Sequence, residues 1–452
     1  MSASKLSRRD FLKMASAGAA LAVLAACQTT PTPAPTGEAE PGPGEELPSA
    51  DAITLVHWSE GYLFEDRTDA DLFTEYRVAC HETFKEKYPN VTVLCEDHGW
   101  DEALRQNLVT ALLGGTAPDI IVGENFFQQY GDLGALVPMD DYIQDIEENL
   151  IPGTYAAAVT QGQVFGINQF TGCFGFERNP NVIEAAGLDP STPPATWDDL
   201  LAHAETITES GNGEYFGYTL QGPVGFSVGG IFRIMVYLMQ AGAEIAKEDG
   251  YPWFDNPKSA PVLEFLRELN RFTPPGLTFN PDEGQVYTQL FQGKSAYQIC
   301  GSWHVQWAKD SGLDNALYSG VPIPKDGGPA SVIVGNVINA VLTGSKYPQE
   351  SAEWCKNFTE DTIQDLVYPV LTRMPSTRSS LERLKPNATE ADNAFINELL
   401  TADLGILPQW RKDPQAMWTI YNDMLTQVLS TEEPVDNLMG MAQQQADDAM
   451  SA

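Results

Sequence analysis

The sequence predicts an α/β protein of two lobes, and three observations predict it. Short β-rich runs alternate with amphipathic stretches in a βαβαβ order between Ile53 and Val122. The third of those runs, Ile120-Ile121-Val122, is apolar on both faces, as a strand in a covered parallel sheet must be. After a long helical region, β-rich apolar character returns at 332–342, so the chain is expected to cross between lobes more than once.

Taken in order, residues 53–58 read as the first strand and are followed by a loop containing Gly61. Residues 70–88 place Phe73, Val78 and Phe84 on a helical period, and Pro89-Asn90 ends that helix. Residues 91–95 form the second strand, 101–113 the second helix and 119–122 the third strand. A sheet wound in this way takes its ligands outside the C-terminal ends of its strands. A further β-rich region opens at Val164 and runs to Phe176, and Asn179-Pro180 turns it into a short helix ending at Gly187. Thr196, with Asp199 three residues on, forms a capping-box variant that starts a helix at Trp197. Helices are predicted at 231–241, 260–271, 283–292 and 303–310, then the β return at 332–342, then a mostly helical C-terminal stretch.

Composition bounds the function. The 452 residues carry 62 acids against 26 Lys and Arg, a formal charge of -36, which excludes the basic face that nucleic acid requires. With 43% apolar residues the chain can bury a full core. Its acidity also disfavours adsorption to an anionic membrane by charge alone. The N-terminus adds a different route to the membrane. Ser7-Arg8-Arg9-Asp10-Phe11-Leu12-Lys13 is a twin-arginine signature, followed by an apolar run over 15–26 that is too short to span a bilayer. The run ends Leu24-Ala25-Ala26-Cys27, which resembles a bacterial lipobox. Residues 1–26 therefore read as a signal peptide and Cys27 as the lipidated first residue of an exported lipoprotein. Residues 1–26 hold four basic side chains and one acid, so the mature chain carries -39. Residues 28–50 contain six prolines among Thr, Gly, Glu and Ala, a semi-rigid spacer that starts beside Cys27 and ends where the working part begins near Asp51.

Five cysteines remain: Cys80, Cys95, Cys173, Cys300 and Cys355. The odd count leaves at least one thiol unpaired. Cys80 and Cys95 are closest in sequence, and a helix packed on its own strand could join them; the alternative is that all five are small buried apolar residues. No Cys-x-x-Cys or His-rich spacing suggests a metal, and nothing in the sequence asks for a cofactor.

Several segments together resemble the extracellular solute-binding proteins of ABC importers, in particular the sugar-binding group that includes the maltose-binding protein. Gly114-Gly115-Thr116-Ala117-Pro118-Asp119 looks like that family's entry into a strand, and Gly134-Ala135-Leu136-Val137-Pro138-Met139-Asp140-Asp141 like the segment that follows. Asn179-Pro180 through Ala186-Gly187-Leu188, and then Pro193-Pro194-Ala195-Thr196-Trp197-Asp198-Asp199-Leu200, are similar to its most recognisable stretch. Phe291, Gly293-Lys294, an apolar strand and Gly301-Ser302-Trp303 complete the series. The resemblance covers nearly all of 52–430. It implies a two-lobed periplasmic-binding-protein-like fold (type II), each lobe a sheet flanked by helices, with a hinge of two or three crossings. The implied lobes are 52–168 with 332–372 and 173–330 with 375–452. The implied function is capture of one carbohydrate between the lobes and its delivery to membrane permease subunits, by a monomer tethered through Cys27 and without catalysis.

A sugar cleft needs aromatic plates for C–H faces and charged or amide groups for hydroxyls. The ends of the first and third strands nominate Trp58, Ser59, Glu60, Glu124 and Asn125, and Trp100 precedes the second helix as a further plate. By position in the resemblance, Phe170 and Thr171 at the first crossing, Gln221 with Phe226 beyond it, Trp303 and Trp418 join them, and Asn336 in the returning β region, Arg373 after the late crossing and Trp410 in a C-terminal loop complete the set. Trp303 is the leading candidate for a stacking plate. Trp197 and Trp354 are assigned to packing. A binding protein for another solute, such as a polyamine or peptide, is the alternative. Gly225-Phe226-Ser227-Val228-Gly229 matches a serine-hydrolase nucleophile elbow, yet the only histidine after it is His304 and no oxyanion loop precedes it. A secreted glycosidase would need a carboxylate pair, and the sequence singles none out.

Overall fold

The computed structural model describes residues 52–451 apart from 66–69, 100, 125–126, 224–228, 409 and 411–413. The signal sequence, Cys27 and the Pro-rich spacer thus lie outside the described residues, as do Trp100, Asn125 and Phe226.

The first sheet has five strands in the order Val91–Glu96, Ile53–Trp58, Ile120–Gly123, Val337–Val341, Ile167–Phe170. Ile53–Trp58 pairs in parallel with both of its neighbours, whereas Val337–Val341 runs antiparallel to both of its own. The β return predicted at 332–342 is therefore an inserted strand of the first sheet, which makes that sheet mixed rather than purely parallel. Ile120, Ile121 and Val122 are completely buried, which is why no polar position interrupts that run. The first helix, Thr74–Lys87, begins later than its periodicity predicts, because 70–73 is a 3-10 turn. Its packed face is Tyr76, Cys80 and Phe84, while Val78 points outward with 49% of its surface exposed.

The second sheet orders Leu317–Ser319, Phe174–Arg178, Ser295–Gly301, Phe216–Tyr218. The first three strands pair antiparallel and Phe216–Tyr218 pairs in parallel with Ser295–Gly301. Helix Trp197–Gly211 covers it and starts with the capping box that Thr196 and Asp199 predict, each side chain bonding the other's backbone N–H. Trp197 stacks on Phe265 with ring centroids 4.3 Å apart and donates its indole N–H to Gln240. Each sheet has its own apolar core, one around Leu55, Phe84 and Trp354, the other around Phe176, Leu266 and Tyr421.

Three segments connect the two sheets and lie side by side. Thr171 and Met374 exchange both backbone hydrogen bonds, at 2.9 and 3.1 Å. Gly172 accepts from the Val334 N–H at 3.1 Å, and Cys173 bridges to Ile333. Residues around 171–173, 333–336 and 372–374 thus form a narrow ribbon between the sheets. The described cysteines are all free thiols.

Candidate functional site

A cavity of about 540 Å³ opens where the first sheet meets this ribbon. Ser59 and Glu60 line it from the end of strand Ile53–Trp58, Asp97 and Gly99 from the end of Val91–Glu96, and Glu124 from the end of Ile120–Gly123. All three are C-terminal strand ends, where backbone N–H groups and loop side chains turn outward. Phe170, Gly335, Asn336 and Arg373 line it from the crossings, and Tyr62 and Phe64 from the turn after Glu60.

The position of Glu60 is set by a chain of donors through the core. Buried Trp354 donates its indole N–H to His57 Nδ1 at 3.1 Å, which leaves Nε2–H to donate to Asn339 Oδ1 at 2.9 Å. Asn339 Nδ2 donates to Gln169 Oε1 at 3.3 Å, and Gln169 Nε2 donates to Glu60 Oε1 at 3.1 Å. The other carboxylate oxygen accepts the Tyr62 N–H at 2.8 Å. Burial pushes the His57 imidazole down to about 3, so it stays neutral and keeps this direction of donation. Glu60 is only 8% exposed and is presented to the cavity by groups that all donate toward it.

On the crossing side, the Arg373 guanidinium carbon lies 5.0 Å from the centre of the Trp303 ring, a cation–π contact. Arg373 Nη1 is buried with no partner among the described residues. Trp303 is half-buried and reaches the ribbon from the second sheet. The cavity therefore sets three carboxylates, one guanidinium and aromatic faces around one space.

Six of the predicted residues, Ser59, Glu60, Glu124, Phe170, Asn336 and Arg373, meet at this cavity, with Trp303 behind Arg373. Trp100, Asn125 and Phe226 lie outside the described residues, and the structure places the remaining five elsewhere. Trp58 is buried and its face is covered by His98, 3.8 Å away in a stacked pair, so it is not an open plate. Thr171 is fully buried and spends its hydroxyl on Asn336 Oδ1 at 2.5 Å. Asn336 itself turns its amide inward, onto Thr154 O and Asn168, so its side chain holds the crossing and only its edge reaches the cavity. Gln221 sits on the second sheet's side, donating to Glu283, and does not line the cavity. Trp410 is a core residue, 3% exposed, edge-on to Phe254 and Trp418. Trp418 is half-buried and packs against the outside of that same core, edge-on to Trp410. Tyr62, Phe64 and Asp97 are lining residues that the sequence reading missed; Asp97 was findable, since it ends a strand just as Glu60 and Glu124 do.

His304 is fully buried and bonds Glu177 Oε2 at 3.0 Å, with Gln298 and Tyr318 also donating to that carboxylate at 2.7 Å. The rings of Tyr287 and Trp307 pack around it. His304 is thus enclosed by its own neighbours, and Ser227 lies outside the described residues. Glu177, Cys300 and His304 are, among the described residues, a group whose ligand atoms lie within 4.8 Å of one another, as a metal would require. The three donors already on Glu177 satisfy it without an ion.

A model of the bacterial extracellular solute-binding proteins matches residues 68–365, well over half of the chain. The chain belongs to that family. Residues 5–25 match the twin-arginine translocation signal, which marks this solute-binding protein for export. A putative binding protein of Brucella abortus is 27% identical over 246 residues, 53% of this chain and 57% of the relative, so the match spans little more than half of that protein. An arabinooligosaccharide-binding protein of Halalkalibacterium halodurans is 24% identical over 300 residues, 63% of each chain. Among solved structures, the cyclic alpha-maltosyl-1,6-maltose binding protein of Arthrobacter globiformis superposes with a TM-score of 0.72 at 21% identity, covering 88% of this chain and 98% of that one. The sugar-binding protein MalE of Xanthomonas citri does so with a TM-score of 0.74 at 16% identity, covering 88% and 97%. The fold of this solute-binding protein is accordingly the type II periplasmic-binding-protein fold.

Proposed function

We propose that this solute-binding protein captures a carbohydrate between two lobes, 52–168 with 332–372 and 173–330 with 375–452, and hands it to the permease of an ABC importer. The observation that carries this reading is the cavity at the crossings, where Glu60, Asp97, Glu124 and Arg373 supply hydroxyl partners beside aromatic faces. The arabinooligosaccharide-binding relative supports the ligand class. Ligand touching both lobes only when they close would shift the population toward the closed form, which the permease recognises. The mature protein is a monomer anchored by a lipid at Cys27, and its Pro-rich spacer keeps it at high effective concentration near the transporter.

A thermal-shift screen against mono- and oligosaccharides, polyols and polyamines tests the proposal. Ligand at about 100 times its Kd adds about 2.7 kcal/mol, several degrees in melting temperature. Trp303→Ala is expected to weaken sugar binding tenfold or more, ~1.4 kcal/mol, without loss of fold. Unchanged affinity in the folded variant removes Trp303 from the site. The excess of three carboxylates over one guanidinium in the cavity favours a cationic solute as the second reading. A shift with polyamines and silence from every sugar would establish it.

A further inference from the structure

Three glycines from three separate places in the chain face one edge of the Trp303 indole. A Cβ built on Gly301, the last residue of strand Ser295–Gly301, would overlap the ring at Cη2, Cζ3 and Cζ2. One built on Gly335 would lie 3.1 Å from Cζ3, and Gly335 adopts a φ of +64°, which a side chain disfavours. On Gly172 it would lie 3.5 Å from the same Cζ3 and 2.8 Å from the Val334 carbonyl. The third crossing contributes Arg373 over the ring at 5.0 Å. The indole is thus enclosed by all three crossings at once, and the backbone that carries it is pinned from the other side by the buried His304–Glu177 contact at 3.0 Å.

We propose that Gly301 and Gly335 are positioning residues that seat Trp303 as a wedge among the three crossings, with Gly172 in ordinary contact beside the ring, so that a ligand stacked on the indole acts directly on the hinge. The proposal rests on the carbohydrate reading for what the ligand is, and on geometry alone for the wedge. The gap at Gly301 is required by the ring and by nothing in its own backbone, since Gly301 is not among the residues of positive φ. Placing a methyl group there should expel the indole, and the crossings should loosen even with no ligand present.

The experiment is a double-mutant cycle on the mature full-length chain with Gly301→Ala, Trp303→Ala and the combination, read by amide hydrogen exchange without ligand and by sugar titration. The diagnostic amides are those of Thr171, Val334 and Met374, which bond between crossings. Gly301→Ala is expected to speed exchange at all three by tenfold or more and to weaken sugar binding at least tenfold. Added to Trp303→Ala, it is expected to change neither readout further, because the ring it collides with is gone. Faster exchange confined to the neighbourhood of residue 301, or losses that multiply in the double variant, would overturn the proposal. If Gly301→Ala alone fails to fold, the double variant is expected to fold; failure of both assigns the glycine a backbone role and sinks the wedge. If no sugar binds any form, the carbohydrate reading fails while the exchange arm still decides the wedge.

Discussion

Glu60 shows how much of a site can be arranged by groups that never touch a ligand. Its carboxylate ends a line of donors that starts at Trp354 and passes through His57, Asn339 and Gln169, and every member is buried. Glu60→Gln would set an amide N–H against one of the two donors that now face oxygen, so it is expected to weaken ligand binding about tenfold, ~1.4 kcal/mol, by calorimetric titration. Wild-type affinity in that variant would mean that Glu60 does not meet the ligand. His57 links the same line to pH. Its folded value of about 3 lies below its ordinary 6.5, so between those limits the unfolded chain takes up a proton that the folded chain refuses. Stability from this group is complete above about pH 6.5 and drains as pH falls toward 3, by at most about 1.4 kcal/mol per unit. His57→Gln, which can accept from Trp354 and donate to Asn339, is expected to flatten that acid slope by one proton; a slope equal to wild type would show that His57 does not set it.

At the scale of elements, local chemistry and tertiary packing divide the labour. Helix Trp197–Gly211 is specified locally. Thr196 and Asp199 close its first turn, and Asn212 ends it in a left-handed conformation at φ 44°. Thr196→Ala is expected to cost about 1 kcal/mol, seen as a lower urea midpoint at unchanged slope. No shift would mean that the exposed cap is replaced by water. The helix Thr74–Lys87 is less local. Its periodicity is compatible with a face through Val78, but the face that packs is Tyr76, Cys80 and Phe84, because the neighbouring strand and the helix at Asp361–Leu371 occupy that side. The same division explains Trp410 and Trp418. An aromatic residue in a loop or on a helix reads equally well as a plate or as core until its neighbours are known, and here Phe254 and the second core claim them.

For the whole molecule, export and the proposed lipid anchor bear on function as directly as the cleft does. The twin-arginine signal at 5–25 sends the chain out. Cys27→Ser is expected to move the exported protein from the membrane fraction to the soluble fraction while leaving its thermal stability and ligand affinity unchanged. Retention of the variant in the membrane fraction would refute the lipid anchor. The acidic surface, -36 over the full sequence, keeps such a tethered protein from adsorbing to anionic headgroups, so the proposed spacer alone would govern its distance from the permease.

By itself the sequence determined what depends on near neighbours along the chain: strands Ile53–Trp58 and Val91–Glu96, the buried run at Ile120–Gly123, the capped helix at Trp197 and the export signal. It also located Glu60 and Glu124, because a strand's C-terminal end is a local feature with a topological meaning. Only the tertiary structure decided which distant residues share a space. Thr171 and Asn336 are 165 positions apart, and their hydrogen bond spends the Thr171 hydroxyl on holding the ribbon and leaves only the edge of Asn336 to the cavity. Gly301 and Gly335 have no common sequence signal, yet both make room for the same ring, while Gly172 leaves space for the Val334 carbonyl beside it. Periodicity reports which face of an element is apolar, whereas the identity of what lies against that face is set by long-range pairing, and that is where the cavity and its hinge arise.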